Sequence, residues 1–85
     1  MTRINVKVLE PEAEKCEELI KEAINALVGI PICSEVEKIQ DTEKIKKFNV
    51  TETPGLMINN KVKVVGRIPS KEEIKEWIRE EYKLN

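Results

Sequence analysis

The sequence predicts a small α/β domain, a mixed sheet with helices on both faces, in the order β-α-β-α-β-β-α. Three observations predict it. Apolar residues first alternate with polar ones, the period of a strand, and then recur every third or fourth residue, the period of a helix. Two short apolar runs joined by Asn59-Asn60 read as a hairpin. The chain has 85 residues, 40% of them hydrophobic and 36% charged, which suits one compact domain over residues 1–85 and leaves no room for two.

The first element is Arg3–Leu9, where Ile4, Val6 and Val8 alternate with Asn5 and Lys7. Pro11 suits the first turn of a helix, where its missing N–H is no loss. Ala13, Cys16, Leu19, Ile20, Ala23, Ile24 and Leu27 then form one apolar helical face of about four turns. Gly29 stands where the helix should end, and Pro31 blocks its continuation. Residues 32–39 return to an extended pattern. Asp41 or Thr42 can cap a short helix with Ile45 and Phe48 facing inward. After Thr53-Pro54, the runs 56–58 and 62–65 flank Asn59-Asn60, and asparagine tolerates the positive φ of a tight turn. Ser70 and Glu73 form a capping box that opens a last helix with Ile74, Trp77, Ile78 and Tyr82 on one face. The β-α-β start gives a parallel pair, and the hairpin adds antiparallel strands.

Composition narrows the chemistry. Histidine is absent, which removes the commonest general base and metal ligand together. Two cysteines cannot complete a tetrahedral zinc site or a disulfide scaffold, so neither metal nor cofactor is expected. A net charge of −1 argues against nucleic acid as a partner. The longest apolar stretch, residues 26–33, is broken by Gly29 and Pro31 and is far short of the ~20 residues that cross a bilayer. No signal peptide is read at the start, and a cytoplasmic monomer without membrane contact is expected. The excess of Lys, Glu and Ile suggests a thermophilic source. Lys71, Lys75, Arg79 and Lys83 form a stripe on the last helix, but Glu72, Glu76 and Glu80 stand beside it and make a solvated, ion-paired face the better reading.

This element order, with Thr53-Pro54 directly before the hairpin, resembles the thioredoxin fold in its small glutaredoxin-sized form. More closely, the chain resembles the small thioredoxin-like redox-active disulfide proteins. The likeness spans nearly the whole chain. It is most specific over Val50-Thr51-Glu52-Thr53-Pro54-Gly55-Leu56-Met57-Ile58-Asn59-Asn60-Lys61-Val62 and again at Val65-Gly66-Arg67-Ile68-Pro69-Ser70. The resemblance implies a cis peptide at Thr53-Pro54 and a Thr53 backbone that pairs with an extended substrate. The activity it implies is thiol-disulfide exchange with protein thiols or disulfides, through a Cys-x-x-Cys pair at the start of the first helix. There the first cysteine attacks and the second resolves the mixed disulfide.

The chain departs from that pattern at the decisive position. Cys16 aligns with the resolving cysteine, and Ala13 stands where the attacking one belongs. The glycines that usually precede the motif are replaced by Glu10, Pro11 and Glu12. Ala13 is compatible with natural loss in a diverged family member and with a deliberate Cys→Ala change; the several departures together favour divergence. Glu12, Glu14, Glu17 and Glu18 surround Cys16, opposed only by Lys15, and negative charge disfavours a thiolate. Cys33 is expected in the core. With roughly 12 helical residues between the sulfurs at about 1.5 Å each, they should lie ~15–20 Å apart, too far for a disulfide.

Three functions fit. The first is a family member impaired in disulfide exchange, because only Cys16 remains. The second is a non-catalytic module that holds an extended peptide at the Thr53-Pro54 groove. The third, a monothiol enzyme acting through Cys16, is disfavoured by the acidic surroundings.

Overall fold

A computed structural model describes residues 3–83, with side chains as far as Glu81. All seven expected elements are present in the expected order: β1 (Arg3–Leu9), α1 (Ala13–Leu27), β2 (Cys33–Ile39), α2 (Thr42–Lys47), β3 (Gly55–Ile58), β4 (Lys61–Val65) and α3 (Lys71–Lys83). They build one sheet in the order β2-β1-β3-β4, with β1 parallel to β2 and antiparallel to β3. β2 and β4 are its two edges.

The two sheet faces are covered unequally. Ile4, Val6 and Val8 of β1, with Leu56 and Ile58 of β3, meet α1 and α3 in the main core, where all five are fully buried. The opposite face is covered only at one end. There α2 drops Ile45 beside Leu9, Ile39, Val50 and Met57, with Phe48 packed against them. The rest of that face is polar. Lys7 Nζ donates to Asn5 Oδ1 at 2.6 Å and to Asn60 Oδ1 at 3.1 Å. Asn59 N donates to the Asn5 carbonyl at 2.8 Å, and its side-chain oxygen accepts from Asn5 N at 3.0 Å. These bonds tie the hairpin turn to β1. Asn59 and Asn60 both have positive φ, 51° and 67°, as a two-residue hairpin turn of this type requires.

Several details differ from expectation. Helix α1 begins at Ala13 with Glu12 as its N-cap, so Pro11 precedes the helix instead of opening it. Its buried stripe is narrow, Cys16, Leu19, Ala23 and Ala26; Ala13 is exposed and Ile24 is half exposed. Cys33 is not a core residue but exposed. Register explains this: Cys33 lies beside Arg3, as Ile39 lies beside Leu9, on the sheet face that α2 covers only at its far end. In β4 the register shifts opposite Leu56 and Met57, leaving Lys63 as an extra residue. Lys63 turns to α3, with Nζ 3.0 Å from Glu81 Oε2 and 3.6 Å from Glu80. The expected side chains of Tyr82 and Lys83 lie outside the described residues.

The ends of the helices follow the sequence. Asp41 Oδ1 accepts from Glu43 N at 2.9 Å and caps α2. At α3, Glu73 N donates to Ser70 Oγ at 3.3 Å, and Ser70 N returns a bond to Glu73 Oε1 at 3.2 Å. The Arg67 guanidinium grips the same carboxylate through two bonds, at 2.9 and 2.6 Å. Chiefly through Arg67, and secondarily through Ser70 N–H, the Glu73 carboxyl is held down at about 2 from an ordinary 4.5. Lys63 and Lys61 likewise hold the Glu81 carboxyl below its usual range. A depressed acid stabilises the fold above its unfolded value and loses that contribution as pH falls toward its folded one. Stability should therefore decline between pH 4.5 and about 2, and Glu73→Gln should flatten the decline. Urea midpoints taken across this range check it; parallel curves for parent and variant would disprove the role of Glu73.

Candidate functional site

The site forms where the chain leaves β1 and enters α1, beside the loop that leads into β3. Glu10 prolongs the sheet by one bond, its N–H donating to the Ile39 carbonyl at 3.0 Å. Its side chain then folds inward and is buried, and Oε2 accepts from Glu12 N at 2.8 Å. Glu12, as N-cap, makes no side-chain capping bond of its own. The chain's own carboxylate thus binds an amide at the approach to α1, where the positive end of the helix would otherwise favour a thiolate or other anion.

Ala13 is the first residue of α1 and is exposed; Cys16 lies one turn on and is fully buried. The Cys16 sulfur belongs to the main core with Leu19, Ala23, Val8 and Leu56. Burial pushes its thiol above the ordinary value, and Glu17 and Glu10 push the same way. Lys38 opposes them. This lysine reaches from β2 to Glu17, with Nζ 2.7 Å from Oε1. Sequence reasoning named Lys15 as the opposing charge and missed both Lys38 and Glu10. The signal for Lys38 was available: it shares the strand parity of Val36, which packs against the main core.

The Thr53-Pro54 peptide bond is cis. Pro54 is buried, and its carbonyl accepts from Gly66 N at 2.9 Å, tying the loop to the end of β4. Gly55 follows against the smaller core, where a Cβ would stand in ordinary contact with Val50 Cγ1 at 3.4 Å and Leu9 Cδ1 at 3.6 Å. Thr53 is half-buried and lines an open groove of about 590 Å³ with Pro11, Ile45, Lys46, Val50 and Thr51. The fold therefore brings Thr53 together with the approach to α1. It does not bring Cys16 into the groove, since that thiol lies beneath the surface, nor does Ala13 line it.

Residues 4–79 match the family model described as a thioredoxin domain. The chain belongs to the thioredoxin family. A thioredoxin of Methanothermobacter thermautotrophicus is 33% identical over 72 residues, spanning 85% of this chain and 94% of its own. A thioredoxin of Methanocaldococcus jannaschii is 28% identical over 74 residues, spanning 87% of this chain and 85% of its own. The two thiols of this thioredoxin-family chain lie on opposite faces of the sheet. Both are free, Cys16 in the main core and Cys33 at the surface of the opposite sheet face. No group of three or more His, Cys, Asp or Glu among the described residues is arranged to hold a metal ion. No helix among them is long and apolar enough to cross a membrane.

This burial difference predicts selective labelling. At neutral pH iodoacetamide should modify Cys33 and leave Cys16 untouched until the protein unfolds, as mass spectrometry of the labelled peptides would reveal. Rapid alkylation of Cys16 in the folded chain at pH 6, where an ordinary thiol is almost wholly protonated, would contradict it and favour a monothiol enzyme.

Proposed function

We propose that this thioredoxin-family protein derives from protein thiol-disulfide oxidoreductases but does not complete disulfide exchange itself. The reading rests on where the thiols sit. Exchange requires an accessible thiolate to attack a substrate disulfide and a second thiol to displace it from the resulting mixed disulfide. Ala13 occupies the position of the attacking group, and Cys16, at the resolving position, is fully buried with its thiol pushed up. Cys33 is exposed but on the other side of the sheet. The chain should accordingly fail to reduce insulin disulfides above the rate of the dithiol reductant alone; catalytic turnover above that background would refute the reading.

A second reading is favoured by the groove beside Thr53. In it the protein is a binding module that holds an extended peptide segment of a partner, using the Thr53 backbone for pairing and the apolar floor for an anchoring side chain. The two readings are compatible, since loss of exchange chemistry leaves the binding groove in place. We assign the protein no cofactor and place it in the cytoplasm as a monomer. Its partners under this reading are protein thiols or disulfides, or an extended peptide, and not nucleic acid or membrane.

A further inference from the structure

The two edges of the sheet are not alike. β4 is interrupted by its bulge, whereas β2 pairs with β1 over seven residues without a break. Glu10 N donates to the Ile39 carbonyl, so Ile39 turns its backbone toward β1. Backbone groups alternate sides along a strand, so Ser34, Val36 and Lys38 turn their N–H and carbonyl groups outward. No strand among the described residues lies beyond them. Such a row can pair with one more strand.

An apolar shoulder overhangs this edge. Because β1 and β2 are parallel, α1 runs back across them, and Glu17 Oε1 reaches Lys38 Nζ at 2.7 Å. Ile24 lies seven residues further on, two turns along the same helix face. At about 1.5 Å per helical residue that is ~10 Å, or about three strand residues back from Lys38, level with Glu35. Ile20, one turn before Ile24, and Val36 pack on the main core, but Ile24 itself is 50% exposed. The other row of β2 is acidic: Glu35 and Glu37 share the face of Cys33, away from α1. Glu37 accepts from Asn5 Nδ2 at 3.1 Å and stands 4.0 Å from Lys7 Nζ. The Glu35 carboxylate, at mid-strand, has no hydrogen bond or ion pair among the described residues. A second copy does not suit this edge. Two-fold antiparallel pairing of β2 with itself, centred on residue 35, 36 or 37, sets these glutamates opposite one another.

We propose that the free edge of β2 takes an extended segment of a partner protein as a fifth strand. The segment carries a lysine or arginine opposite Glu35 and, next to it in sequence, an aliphatic residue turned to Val36 and Ile24. This edge is separate from the groove at Thr53, so failure here leaves the reading above intact. Three synthetic peptides test it, each alternating threonine and valine and differing only in one central polar position, Lys, Gln or Glu. Each is titrated at low salt into isotope-labelled protein, with amide shifts and hydrogen exchange as readouts. The Lys peptide should shift the amides of Ser34, Val36 and Lys38 and slow their exchange about tenfold at saturation, leaving Thr51 and Thr53 unmoved. It should bind about fivefold tighter than the Glu peptide, as expected when one exposed cross-strand pair changes sign. The gap should shrink as salt is added. Glu35→Lys should invert the order. Ile24→Asn should weaken all three peptides alike, and circular dichroism should stay unchanged in both variants, since both residues are exposed. Unprotected Ser34, Val36 and Lys38 amides with every peptide would overturn the added strand. Equal affinity for the three peptides would overturn its basic residue, and full affinity in Ile24→Asn its aliphatic one.

Discussion

Ala13→Cys should restore a redox-active pair. The substitution places a thiol at the first position of α1, one turn before Cys16, a spacing at which Cα atoms come within bridging range. Ala13 is exposed and Cys16 buried, so the new thiol would be the accessible attacking group and Cys16 the protected resolving one. Mild oxidant should give an intramolecular disulfide, seen as the loss of two free thiols in the monomer's mass. Insulin reduction should rise from background by on the order of 10²-fold, well short of the ~10⁶-fold that a nucleophile is worth in a fully equipped site. The shortfall has a named cause: the Glu10 carboxylate already holds the Glu12 amide at 2.8 Å and adds negative charge beside the thiols. Adding Glu10→Gln to Ala13→Cys keeps a hydrogen-bond acceptor there while removing the charge. That pair of changes should lower the pKa of the new thiol relative to Ala13→Cys alone. Failure of Ala13→Cys to close a disulfide would mean that position 13 is not the attacking position.

The second large effect is on stability. Leu56 sits in β3, an interior strand, fully buried against the main core. Truncating it to alanine removes buried methyl groups and leaves a cavity between sheet and helices, costing about 2–5 kcal/mol. Small domains hold only about 5–15 kcal/mol in total, so Leu56→Ala should bring this one close to its limit and lower its melting temperature by well over ten degrees. Val62→Ala is the control. Val62 is 46% exposed on an edge strand, and its truncation should stay within about 0.5 kcal/mol. Urea midpoints of the two variants at constant m-value decide the matter. Similar shifts for both would mean that the main core is not where the stability lies.

Much of the fold was legible because its signals are local. Strand alternation in β1, the capping box at Ser70 and Glu73, and the turn at Asn59-Asn60 each need only a few adjacent residues. What could not be read locally was what each strand faces. β2 carries Val36 toward α1 and Glu35 and Glu37 toward a nearly bare face, so neither periodicity nor composition marks Cys33 as exposed; its register against β1 does. The bulge at Lys63 is similarly silent, because one extra residue in a short strand only shifts the alternation. At the site, the burial of Cys16 followed from helical spacing. Lys38 and Glu10 entered only when β2 was laid beside β1 and the chain folded back over its own carboxylate. The groove joins Pro11, Ile45 and Thr53, which are far apart in sequence and meet only in three dimensions.

The bulge in β4 bears on how this chain behaves in a crowd. An open sheet has two rims, each offering free amides and carbonyls on which another molecule can grow, and rims of this kind seed fibres. The rim with the stronger β-forming sequence is β4, with Val62, Val64 and Val65. It is also the rim where an extra residue breaks the even spacing that an incoming strand would have to match, and where Lys61 and Lys63 place ammonium groups. At the other rim, Glu35, Glu37 and Lys38 stand exposed along β2. A strand laid along β4 would meet an uneven row of hydrogen-bonding groups, and one laid along β2 would meet exposed charged side chains, so the geometry that brings Lys63 to Glu81 also guards the sheet against polymerisation.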